Sequence, residues 1–372
     1  MKRFLIVFIL VLLVPFNAFA LDGEEYNDLL SGYDLSAFKE ELGSDTYEIL
    51  TELGLDEFDY NNLSSLSFES VIDIVKEIIL GKIKSPIKSM LSILIFIILS
   101  ALFKSMKTDE NEEMSSVYST CAALIIAVLL TAQISPAISL SASSIKVAGS
   151  FIYAFVPVFC AIVAASGGLT TGFATNSMLL MLSQGLTFLS SNVFMPLINC
   201  FLAIGICSSL RSELNLSNLI ETLKKVLTSV ISVLCAGFIS ILSVKTTVSA
   251  KADMLGIRSV RFLINSVVPV IGGSVSEGLL SIQSYSSLIK STVGIVGIIS
   301  IAVLFLPSII EISLWRLTLS ACSLISDVFG DSNITLVLKA FKDTALMINV
   351  VLVLSMVTTI ISFGLLIAAR TV

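Results

Sequence analysis

Apolar residues run along this chain in blocks longer than ordinary soluble helices need, and short charged or Gly/Pro-bearing breaks separate them. The first block, Phe4 to Val14, follows Lys2 and Arg3 and closes on Pro15 and Ala18-Phe19-Ala20. That is the order of a cleaved signal peptide, assigned to residues 1–20, and it starts Leu21 outside the cytoplasm. Residues 21–66 hold no long apolar block, only short helical patterns such as Tyr47 to Leu53 between glycines, and predict a small helical exported region. Over 67–88, Val71, Ile72, Val75, Ile78 and Ile79 recur at helical spacing, which predicts an amphipathic helix of about four turns ending near Pro86. Lys82, Lys84 and Lys88 at its end suit either anionic headgroups or a solvated basic turn.

Residues 89–372 read as a helical transmembrane domain. Met90–Phe103 is a short apolar run, Val117–Leu140 and Val147–Ala165 are two successive spans, and Ser166 to Gly172 breaks the helix. Phe173 to Leu210 has no charged residue, which predicts a tight hairpin or a long kinked pair centred on Ser190 to Pro196. Arg211–Leu227 is amphipathic and is expected to lie on the membrane, with Leu227–Val244 as the next span. Val293–Leu314, the moderately apolar Leu317–Phe329, a turn at Gly330-Asp331 and the last span, Ala345–Ala369, complete the chain. The fold class is all-α and polytopic, with about seven to nine spans.

One stretch departs from simple spans. In Gly256 to Gly278, Arg258 and Arg261 share a helical face with Lys251, and Pro269, Gly272 and Gly273 then end the helix. Backbone freed at membrane depth is tolerated only where protein or water satisfies it, so this break belongs in an interface or cavity. It also conflicts with charge bias: the positive-inside rule places both Arg211–Lys225 and Lys245–Arg261 in the cytoplasm, with one ordinary span between them.

Composition sharpens the class. The chain is 55% hydrophobic and 13% charged, about half the charge of a soluble domain. Its net charge of −6 comes from one place, since fifteen acidic residues and only Lys39 lie between Leu21 and Val75. From Ile78 onward eighteen basic residues face twelve acidic ones, a distribution that excludes nucleic acid as partner. The six cysteines fall in apolar runs without C-x-x-C spacing and read as small buried hydrophobes. There is no histidine, which removes zinc-protease, serine-histidine and haem chemistry, and there is no phosphate-binding Gly-x-x-x-x-Gly-Lys loop. Gly330-Asp331 lacks the preceding glycine and the second aspartate of an intramembrane aspartyl protease. The sequence therefore points to no enzyme, no cofactor and no metal.

Five of the seven prolines, Pro136, Pro157, Pro196, Pro269 and Pro307, lie in or beside apolar runs, where ordinary kinking accounts for them. A sharper pattern joins two: Phe151 leads to Val-Pro-Val at Pro157 and Gly167-Gly168, and Phe262 leads to Val-Pro-Val at Pro269 and Gly272-Gly273. Paired interrupted helices mark transporter-like or channel-like sites. The candidate pore or interface residues are accordingly Pro157, Gly167, Gly168, Pro196, Arg258, Arg261, Pro269, Gly272 and Gly273. Lys146, Glu277, Lys290, Glu311 and Arg316 are the ionisable groups near apolar segments, and none forms a carboxylate relay.

The signal peptide, the acidic exported region, Ala165-Ser166-Gly167-Gly168-Leu169, Met195-Pro196-Leu197, Gly256-x-Arg-x-x-Arg-Phe followed by Pro269-Val-Ile-Gly272, and Gly330-Asp331 together resemble the stage III sporulation protein AE family of endospore-forming bacteria. The resemblance implies a multipass protein of the mother-cell membrane around the forespore, with its acidic N-terminal region outside the cytoplasm. It implies membership of a channel or feeding-tube complex that supports forespore development, with a permease-like conduit as one form of that role. Its implied partners are the other membrane proteins of the stage III sporulation A operon, a forespore protein and an ATPase subunit, alongside the lipid bilayer. Two alternatives stand beside it: a self-sufficient secondary transporter of small solutes, and a non-conducting membrane scaffold. The family pattern often has a basic residue after the glycine that follows the central proline, whereas Gly273 stands there in this chain.

Overall fold

The computed structural model describes residues 40–55, 68–105, 112–210, 217–267 and 272–368, and every long element among them is a helix. In order these are α1 (Ser44–Glu52), α2 (Phe68–Lys82), α3 (Lys84–Ser105), α4 (Glu112–Ala165), α5 (Leu169–Leu189), one π turn (Ser190–Phe194), α6 (Met195–Leu210), α7 (Ser217–Val267), α8 (Gly272–Val328) and α9 (Ser332–Ala368). The expected signal peptide, most of the acidic region, Arg211 and Pro269 lie outside the described residues.

Three helices are exceptionally long: α4 has 54 residues, α7 has 51 and α8 has 57. Each would measure about 75–85 Å if straight, against about 30 Å of bilayer hydrocarbon. Pro136 and Pro157 lie inside α4 and Pro307 inside α8 without ending either helix. The helices stop instead where glycine takes a left-handed conformation, at Gly167 (φ 95°) and Gly330 (φ 68°).

Side-chain contacts fix the register. Along α4 and α8, Ser119 meets Asp331, Ser144 meets Ser308, and Phe155 and Phe159 meet Gly297 and Gly294, so the two helices are antiparallel. Along α8 and α9, Ser313 meets Asn349 and Gly294 meets Ile367, again antiparallel. The three therefore lie side by side over the 37 residues that separate Gly294 from Asp331, about 55 Å. A Cβ at Gly294 would sit 2.6 Å from Ile367 and 2.8 Å from Phe159, and one at Gly297 would sit 2.8 Å from Phe155. These glycines admit the stacked rings of Phe151, Phe155, Phe159 and Phe363, which occupy the centre of the bundle.

The remaining helices pack around this trio. α5, the π turn and α6 run back along it, with Gly205 closed against Ala340 of α9, and α7 climbs the other way from Lys224 at Asp343 to Asp253 at the start of α5. α3 places Ser100 at Asp331 and stacks Phe103 on Tyr118 of α4. Lys82 at the end of α2 reaches Glu311 of α8.

Several expectations change. Val117–Leu140 and Val147–Ala165 are one helix, not two spans of opposite direction. The polar residues that suggested an end are absorbed within it, Ser141 by its own Ala137 carbonyl and Ser144 by Ser308. Gly272 to Val328 is likewise continuous through Glu311, whose carboxylate the Lys82 ammonium partners at 3.2 Å. Six helical stretches among the described residues are long and apolar enough to cross a membrane. Pro86 does not end α2; the chain bends at Ile83, and Pro86 falls in the first turn of α3, where its missing N–H is not needed. Residues 217–227 are not a separate surface helix but the first turns of α7. Of the five cysteines with described side chains, Cys160 and Cys322 are buried as expected, while Cys121, Cys200 and Cys207 are exposed.

Candidate functional site

Two buried carboxylates anchor the bundle at its opposite ends. Asp331 follows the left-handed Gly330 and precedes α9, so the helix it begins needs an N-cap. Its Oδ1 accepts the Ile334 N–H at 3.4 Å and the Ser119 hydroxyl of α4 at 2.7 Å, and its Oδ2 accepts the Ser100 hydroxyl of α3. Ser326 donates to the Asp331 carbonyl at 3.2 Å and Thr335 donates to Ser326 at 3.0 Å, so α8 and α9 close the same cluster. Asp331 is 1% exposed. A carboxylate so placed is tolerated because charge-assisted hydrogen bonds occupy both its oxygens.

Asp253 does the corresponding work at the other end. α4 terminates at the Gly167 turn, where the Gly168 N–H reaches back to the Val163 carbonyl at 3.0 Å. α5 then begins with Gly168 in the capping position, and glycine has no side chain to satisfy the first free N–H groups. Asp253 of α7 supplies it from 82 and 83 residues away: Oδ1 accepts the Thr170 N–H at 2.7 Å and Oδ2 the Thr171 N–H at 2.8 Å. The carboxylate also faces the positive end of the α5 dipole. Gly172 cannot carry a side chain here, because a Cβ would sit 2.7 Å from the Cys160 carbonyl oxygen.

The candidate residues separate accordingly. Gly167 and Gly168 are a true helix break and meet α7 at Asp253, one and a half turns before exposed Arg258. Pro157 is exposed within continuous α4, so it marks no break. Pro196 opens α6 directly after the π turn; lacking an N–H for the Asn192 carbonyl, it accounts for the local widening. Arg261 belongs to α7, which ends at Val267, and Gly272 and Gly273 are the first residues of α8. Pro269 lies between them outside the described residues. The first Val-Pro-Val stretch lies inside α4, and the second lies outside the described residues.

Asp253 and Asp331 were not singled out as site residues, although each left a trace in the sequence. Asp253 is the lone acid in a basic stretch, and Asp331 stands in the Gly-Asp-Ser order of a capped turn. Among the described residues no three His, Cys, Asp or Glu side chains converge as a metal site requires. The arrangement joins helices.

Comparison with known proteins adds the decisive observation: the model of the stage III sporulation protein AE family matches residues 55–370. The chain belongs to the stage III sporulation protein AE family. A relative from Bacillus subtilis (strain 168), described as stage III sporulation protein AE, is 26% identical over 213 residues. That match covers 57% of this chain and 53% of the relative, about half the length of each. No solved structure matches the chain. The family match extends from α2 to the end of α9, so it takes in both carboxylate anchors, and the family's name denotes a stage of sporulation, not a reaction.

Proposed function

We propose that this protein is the membrane subunit of a sporulation channel complex that joins mother cell and forespore and supports forespore development. The observation that carries this reading is the family match across the whole helical bundle. The bundle contributes a rigid body, with Asp331 holding α3, α4, α8 and α9 together and Asp253 holding α7 to the α4–α5 turn. The other membrane proteins of the stage III sporulation A operon, a forespore protein and an ATPase subunit are the proposed partners. The exposed Arg258 and neighbouring Arg261 lie beyond the Asp253 anchor, toward the end of α7, and are the proposed contact with them.

The test is the paired substitution Arg258→Glu and Arg261→Glu, scored in sporulating cells. The expected result is normal membrane insertion with failure to co-purify partner subunits and loss of spores. Normal sporulation would overturn the assigned contact. Solute uptake by the purified chain alone in liposomes would instead establish the self-sufficient transporter.

A further inference from the structure

In a helix that faces lipid, a hydroxyl returns its proton to the carbonyl one turn back, because nothing else can accept it. Several exposed hydroxyls of α3 and α7 do that: Ser92 to Lys88, Ser240 to Ala236, Thr247 to Ser243 and Ser259 to Leu255. The outer face of α4 behaves differently. Ser135, Ser139, Ser143 and Ser150 are all exposed at near-helical repeat and have no hydrogen-bond partner among the described residues. Only Thr131, at one end of this face, bonds its own helix, at the Ala127 carbonyl.

Two further observations fall on the same face. Pro136 is exposed and has no N–H for the carbonyl of exposed Ala132, so one backbone acceptor is released toward the outside. Lys146 is exposed, is the one charged residue between Val117 and Ala165, and has no acidic partner among the described residues. From Thr131 to Ser150 the face extends about 29 Å along the helix, close to the hydrocarbon thickness of a bilayer. Immediately before it, the same face carries exposed Leu124 and Val128, so the polarity is confined to this stretch.

We infer that the outer face of α4 from Thr131 to Ser150 borders water, and that within the channel complex it lines the aqueous passage. The second half of this statement rests on the channel reading above; the first does not. With Lys146 as its sole charge, the face favours anionic over cationic small solutes.

The experiment uses the full chain with all six cysteines replaced, reconstituted in liposomes, with single cysteines at Ser135, Ser139, Ser143 or Ser150. Controls are Val233→Cys and Ile241→Cys on the apolar flank of α7. Serine to cysteine is nearly isosteric, and unchanged size-exclusion and circular-dichroism profiles establish that each variant folds. A charged, membrane-impermeant methanethiosulfonate reacts with the hydrated thiolate. The serine positions are expected to react at least about tenfold faster than the controls, since the reagent and the thiolate both require water. Rates equal to that of Val233→Cys would overturn the inference, as would protection accompanied by disulfide cross-linking between copies, which would make the face a contact between subunits. In the assembled complex, Lys146→Glu is then expected to shift permeability from anions toward cations; an unchanged preference would overturn the selectivity assigned to Lys146. Fast labelling with no conductance in the assembled complex would count against the channel reading and leave the water-bordering face standing.

Discussion

α4 and α7 are nearly equal in length and their apolar stretches match in hydropathy, yet their outer faces differ. α7 exposes Val226, Val230, Val233, Leu234, Ile241 and Val244, and only 12% of its apolar stretch is buried. Of the apolar stretch of α4 56% is buried, and what it leaves exposed in the middle is serine, threonine, proline, Ala132 and Lys146. The difference shows that average hydropathy does not tell which residues meet lipid. α4 owes its apolar score to the face packed on α8 and α9, whereas α7 owes it to the face turned outward. One flank suits hydrocarbon and the other suits water or a hydrated partner.

Each flank is held by its own carboxylate, which gives a way to loosen one without the other. The largest effect belongs to Asp331→Ala. It strands the Ser100 and Ser119 hydroxyls and should cost about 3–5 kcal/mol, since hydrogen bonds to charged groups contribute about 1.5–3 kcal/mol each. Thermal unfolding in detergent measures it, and hydrogen exchange should rise first at the N-terminal turns of α4 and α9. Gly294→Ala acts between the flanks: its Cβ meets Ile367 and Phe159, an overpacking worth about 1–3 kcal/mol that should lower the melting temperature without local fraying.

Asp253→Ala should cost about 1–2 kcal/mol, the range for losing an N-cap. Its signature is faster exchange at the Thr170 and Thr171 amides and in the C-terminal half of α7, with the start of α4 unchanged. If Asp253→Ala and Asp331→Ala loosened the same segments, the two flanks would not be separately anchored. The smallest effect is that of Lys224→Ala, which removes a partly exposed ion pair with Asp343 and should change stability by about 0–1 kcal/mol.

Much of the architecture was legible because its signals are local. Glycine at Gly167 and Gly330 forces turns that any helical reading must respect, and the charge-free run after Phe173 proves to be continuous helix through a π turn beside Pro196, not a hairpin. What the sequence obscured was non-local. Ser141 to Lys146 resembles a span boundary until Ser308 is seen opposite Ser144, and Glu311 resembles a helix end until Lys82 is placed beside it. The two anchors are non-local in the same way, since nothing near Asp253 in the sequence announces that its hydrogen-bond donors are at Thr170 and Thr171. In the central stretch from Gly256 to Gly278, α7 runs to Val267 and α8 begins at Gly272, with residues 268–271 outside the described residues.

The continuity of α4 is what places its polar face and its two ends as described. Spin labels at Val128 and Tyr153, both exposed on that helix, measure it by pulsed electron-electron resonance in nanodiscs. A single helix predicts a separation of about 38 Å, from 25 residues at about 1.5 Å each. A separation below about 20 Å would mean that the chain folds back as two antiparallel spans, and would contradict the account.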